Sequence, residues 1–152
     1  MERLPLWLRA LIQCFLATAA LASVLSLLER DYSVVVASIG ATAFIVFATP
    51  RSISARARNV LGGHMIGFLA GGIWWLVPQA ILLAKEFVYS GAVGTAMLLM
   101  VLCRVHHPPA AGTALGVVLA GFSVGAAFTV LTAISAMIII ERSLREFLVD
   151  LV

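Results

Sequence analysis

Residues 103–140 read CRVHHPPAAGTALGVVLAGFSVGAAFTVLTAISAMIII, and no charge interrupts them after His107. The length of the part from Pro109 to Ile140 decides the fold. At about 1.5 Å per residue a single helix of that length would exceed ~40 Å, against a hydrocarbon core of about 30 Å. The run therefore has to break or to overhang. Either its first turns stand outside the hydrocarbon, or a short re-entrant half-helix precedes a true span. Gly121 and Gly125 are the places for the break.

Four further apolar runs precede it: Leu6–Leu28, Tyr32–Thr49, Val60–Ala84 and Phe87–Cys103. A membrane-crossing helix takes roughly 20 apolar residues, so these runs suit one crossing each, the second and fourth being short. Of the 152 residues 62% are hydrophobic and 11% charged, whereas soluble domains carry about 25% charge. The mean hydropathy is +1.11. The expected class is an all-α, polytopic membrane protein with five apolar segments and four to five spans, forming one transmembrane domain over 1–152. The first run follows a short basic start but is long and lacks a small-residue cleavage site before a soluble domain, so it reads as a retained helix and not as a signal peptide. Nucleic acid is excluded as a partner by class; the lipid bilayer is the expected one, in a bacterial inner membrane.

Five crossings would put the N-terminus, the second–third loop and the fourth–fifth loop on one side. That side holds Arg3, Arg9, Arg51, Arg56, Arg58 and Arg104. The other holds Arg30, Lys85, Arg142 and Arg145. Six cations against four, with the positive-inside rule, predict a cytoplasmic N-terminus and a C-terminus outside. Cys14 and Cys103 lie in different apolar runs, offer no disulfide framework and read as buried small hydrophobes.

Small residues recur at four-residue spacing, at Gly63, Gly67 and Gly71 and again at Gly112 and Gly116. Residues four apart share a helix face, and glycine lets two backbones approach where lipid removes the hydrophobic drive. An internal echo accompanies them: residues 38–67 and 91–121 both run from a small-residue helix through a Pro or Arg loop into a Gly-rich helix. Each contains an Ala/Gly-Thr-Ala element, at Ala41–Ala43 and Gly94–Ala96. Shared membrane composition explains such an echo as readily as a true repeat.

Three motifs in order, ASIGATAFIVFATP (37–50), ARNVLGGH (57–64) and HPPAAGTALG (107–116), resemble those of the HPP family of small integral membrane proteins. The family is named for the residues that are here His107, Pro108 and Pro109. Ala110-Ala111-Gly112 departs from the Gly-Gly-Ala of many members. The resemblance implies a compact helical membrane domain usually described with four spans, and a transport role, with nitrite uptake the activity associated with some members.

The residues themselves suggest how an anion would be held. Proline suits the first turn of a helix, so Pro108 and Pro109 should open a new one and leave the N–H groups of Ala110, Ala111 and Gly112 unpaired. Asn59 is a candidate N-cap, with Leu61, Gly62 and Gly63 as further free donors. Free N–H groups at the positive end of a helix attract anions. Arg58, Arg104, His64, His106 and His107 would cluster around both starts, and histidine titrates near neutral pH. Three readings compete: a proton-coupled transporter or channel for a small inorganic anion, a metal-binding protein using Cys103, His106, His107 and His64, and a structural or regulatory membrane subunit. The metal spacing matches no zinc pattern. No membrane-embedded Asp or Glu and no nucleophile–base–acid set exists, so neither enzymatic activity nor a cofactor is expected. A thin bundle of this size is expected to form a dimer or trimer.

Overall fold

The computed structural model describes residues 4–26, 33–77 and 85–152. Six α-helices follow one another among them: α1 (Leu6–Leu25), α2 (Ser33–Ala48), α3 (Ala57–Trp75), α4 (Lys85–Leu102), α5 (Pro109–Ala120) and α6 (Val124–Leu144), with a 3-10 turn at Ile53–Ala55. No strand occurs among the described residues. The long apolar run of the C-terminal half is divided at Gly121, whose φ of 94° lies in the left-handed region that glycine adopts without a Cβ penalty. Ser123 then caps α6, its hydroxyl accepting from the Ala126 N–H at 3.3 Å. Gly125, the other expected break, is inside α6.

By length and composition α1, α4 and α6 each suffice to cross a membrane, while α2 and α5 are shorter apolar helices. The 12 residues of α5 extend only ~18 Å, a short helix after His-Pro-Pro as expected, but not a re-entrant one: Gly121 at its end lies beside Trp75 at the end of α3. α3 begins three residues before the expected Val60 and closes at Trp75. The end of the third apolar run, 78–84, lies outside the described residues.

α3 and α5 run side by side in the same direction at the centre of the bundle. Glycine sets their distance. A Cβ added at Gly71 would stand 2.6 Å from the Ala114 carbonyl oxygen and 2.7 Å from the Val117 Cβ, and one at Gly67 would collide with the Ala110 carbonyl. On its other face α5 meets α2, where a Cβ at Gly116 would lie 2.5 Å from Val35. Both glycine rows read from the sequence are therefore helix contacts. The echo is only half reproduced. α2 packs on α5 as α4 packs on α3, but α4 also packs on α5 whereas α2 and α3 barely touch. Small side chains (Ala70, Ala92, Ala96, Ala110, Ala114) fill the α3–α4–α5 contact, and larger ones (Ile39, Phe47, Val60, Ile134, Met137) fill the side closed by α1 and α6.

Two expectations are corrected. The sixth helix returns the chain to its starting end, so the C-terminus lies beside the N-terminal helix and not across from it. Gln13 of α1 donates to the carbonyls of Phe47, at 2.6 Å, and Val149, at 2.9 Å. The Leu151 N–H donates to the Ala48 carbonyl at 2.9 Å. Arg142 and Arg145 thereby join Arg51, Arg56 and Arg58 at one end. The opposite-ends expectation counted the fifth run as one passage, whereas α5 and α6 run in opposite directions. Cys14 and Cys103 are exposed on the bundle surface and are not core residues.

Candidate functional site

α2 presents Ser38 and Thr42 one turn apart, on the face that meets α5 and the start of α3. α3 brings His64, and α5 brings Thr113. His107 occupies the turn ahead of α5 and fits against α3 because Gly63 has no side chain: a Cβ there would stand 2.7 Å from the His107 Cβ. All five side chains are buried, His64 at 0% and His107 at 1% exposure.

They form a continuous polar chain. His107 Nδ1 lies 2.9 Å from the Ser54 carbonyl oxygen. Its Nε2 lies 3.0 Å from Thr42 Oγ1, which lies 3.0 Å from His64 Nε2. On the far side of the second ring, His64 Nδ1 is 2.7 Å from Thr113 Oγ1. Thr113 Oγ1 is 2.8 Å from Ser38 Oγ, which donates to the Pro109 carbonyl at 2.7 Å. The rings are tilted by 50° with centroids 5.1 Å apart. Buried polar groups are costly unless bonded, and here each ring nitrogen has a partner. The array carries no fixed charge, and its two imidazoles are its only groups able to take up a proton as a second N–H donor.

The expected anion cradle is not formed as expected. The N–H groups of Ala110 and Ala111 donate to the carbonyls of His107 and Pro108, each at 3.0 Å. Gly112 follows inside the helix and packs on Ser38. Leu61, Gly62 and Gly63 lie past the first turn of α3, where the helix ladder uses their N–H groups. Asn59 is not the N-cap. Arg56 holds that position without a side-chain bond, and the buried Asn59 side chain donates to the Ile53 carbonyl at 2.7 Å. Pro109 does stand at the start of α5, with Pro108 exposed before it. Arg58, Arg104 and His106 are exposed and stay off the histidine pair. Of the proposed metal ligands only His64 and His107 meet, and no three His, Cys, Asp or Glu side chains converge among the described residues. Sequence reasoning missed Thr42, Thr113 and Ser38, although Thr42 sits in the echoed Ala-Thr-Ala element.

At the end of the bundle where both termini lie, a cavity of about 330 Å³ is lined by Arg56, Arg58, Arg142, Arg145 and Glu141. Glu141 faces Arg145 at 3.8 Å, which leaves an excess of positive charge around the opening.

A transmembrane protein of Dictyostelium discoideum is 30% identical over 88 residues, a stretch that covers 58% of this chain and 31% of that protein. The chain thus spans about a third of the length of the curated relative it matches. No solved structure matches it. The family model for the HPP transmembrane region, in contrast, matches residues 2–144, nearly the whole chain and all three motifs, and this integral membrane protein belongs to the HPP family.

Proposed function

We propose that the protein moves a small inorganic anion across a bacterial inner membrane, with nitrite as the candidate from the family resemblance, and that a proton held by His64 and His107 accompanies it. The observation that carries this reading is an ionisable pair buried in the bundle interior, a placement that membrane proteins reserve for function. The arginine-lined cavity supports it, because a concave patch of one sign raises the local concentration of counter-ions. The anion would meet Arg56, Arg58, Arg142 and Arg145 first. Each charge-assisted contact contributes about 1.5–3 kcal/mol, or roughly tenfold and more in affinity. We place both termini in the cytoplasm by the positive-inside rule, and we take the protein to act as a dimer or trimer.

The test is initial-rate uptake of nitrite, nitrate and chloride into proteoliposomes, with and without a pH gradient. Uptake above that of protein-free vesicles is expected, lowered about tenfold or more in the double variant Arg58→Gln/Arg142→Gln and unchanged in Lys85→Gln. His64→Gln should remove the dependence on the gradient. Uptake no greater than in protein-free vesicles would sink the reading.

A further inference from the structure

Between the Ser54 carbonyl and the Pro109 carbonyl, the buried chain makes six contacts in line, through His107, Thr42, His64, Thr113 and Ser38. Each needs one proton between its two atoms. A neutral imidazole supplies one N–H, a hydroxyl supplies one O–H, and a carbonyl only accepts. Two rings and three hydroxyls bring five protons to six contacts. In the neutral state one contact therefore sets lone pair against lone pair at less than about 3 Å, inside hydrogen-bond range. The further approach of Thr42 Oγ1 to the Ser38 carbonyl, at 3.0 Å, competes for the same protons.

We propose that Ser38, Thr42, His64, His107 and Thr113 form a binding site for one proton that the two rings share. This deepens the proton coupling proposed above by naming the stoichiometry and the path. One added proton fills all six contacts in line, with the Thr42 hydroxyl turned from the Ser38 carbonyl to a ring: a ring that donates from both nitrogens becomes imidazolium, and the hydroxyls line up behind it. With the charge on His107, its Nδ1–H donates to Ser54 and its Nε2–H to Thr42. Thr42 then donates to His64 Nε2, and His64 Nδ1–H donates through Thr113 and Ser38 to Pro109. Transfer is balanced. His107 Nε2 gives its proton to Thr42 Oγ1 as Thr42 gives its own to His64 Nε2. His64 is then the imidazolium, and the Thr42 O–H points back to a neutral His107. In the neutral chain, moving the unfilled contact from the Pro109 end to the Ser54 end exchanges the tautomers of both rings.

No other charged group intrudes on this site among the described residues. α2 and α5 carry no ionisable side chain. Arg51, Arg56, Arg58, Arg104 and His106 are exposed. On α4 Lys85 and Glu86 are exposed at the opposite end, with Tyr89 a turn further in, and on α6 Glu141 turns to Arg145. The rings face each other alone.

The test is the ¹⁵N spectrum of histidine-labelled protein in detergent, followed from neutral to acidic pH, with His106→Gln used to assign the exposed ring. The parent should show His64 and His107 responding together in one transition that takes up one proton per chain. Thr42→Val leaves three contacts and three protons on the Ser38 side, so His64 should be held neutral as the Nδ1–H tautomer. Thr113→Val makes the opposite cut and should hold His64 as Nε2–H. Thr42→Ser should restore the parent transition. Should Thr42→Val fail to fold, the tautomer in Thr113→Val decides. Two independent single-proton transitions in the parent, no uptake at all, or the same His64 tautomer in both valine variants would overturn the proposal. Because nothing is transported, failure here is separable from failure of anion uptake.

Discussion

At the scale of single residues, Gln13 carries more than its share of the tertiary structure. Its amide donates to Phe47 and Val149 and accepts from the Val149 N–H at 3.2 Å, so one side chain ties α1, the end of α2 and the C-terminal tail together. Gln13→Leu keeps the volume but strands the buried groups, each at a cost of about 1–3 kcal/mol. We expect a melting temperature lowered by several degrees in detergent and earlier proteolysis of the tail beyond Arg145, both read against the parent. The two histidines were legible because an ionisable ring in an apolar stretch is conspicuous. Their partners were not. Thr18, Ser23, Thr129, Ser135 and Ser143 each donate to the carbonyl four residues back, an ordinary way to satisfy a hydroxyl in an apolar helix. Thr42 does the same, and only the arrival of two rings from other helices distinguishes it. Asn59 misled for a related reason. An asparagine at a helix start reads as a cap, but here the helix begins earlier and the amide turns back to Ile53.

At the scale of elements, the α3–α5 contact is set by what glycine omits. Gly67→Ala puts a methyl group into the Ala110 carbonyl, and backbone cannot yield as a side-chain tip does. Overpacking of this kind costs about 1–3 kcal/mol, and here it also separates His64 from Thr113. Gly94 on α4 is the control: a Cβ there meets nothing within 4 Å, so Gly94→Ala should keep or raise stability, by up to ~1 kcal/mol from helix propensity. Thermal melts of the two variants in one detergent check both. If Gly67→Ala melts like the parent, the helices are not held at that distance. The glycine rows and the break in the fifth run could be read beforehand because each follows from a length or a spacing. The donor groups at the helix starts could not, since a turn bond from Ala110 to His107 depends on how the chain enters the helix.

At the scale of the whole molecule, a single glycine changes the parity of the bundle. With α5 and α6 as separate passages, the tail that carries Arg142 and Arg145 returns to the end holding Arg51, Arg56 and Arg58. Among the described residues Lys85 stands at the other end. Under a five-crossing count the cations divide six to four, a weak bias. With the observed return, most of them gather at one end, the distribution expected of a cytoplasmic face. The same return builds the arginine cavity from both the start of α3 and the end of α6. Topology is therefore a test of the fold as well as of orientation. In a background with Cys14 and Cys103 replaced by alanine, single cysteines at Glu86 and Glu146, both exposed, are offered to a membrane-impermeant thiol reagent in intact cells. Cysteine at position 86 should label, and cysteine at 146 should label only after the cells are opened. Labelling of both in intact cells would mean that the chain makes an even number of passages between them, and that α5 does not carry it across.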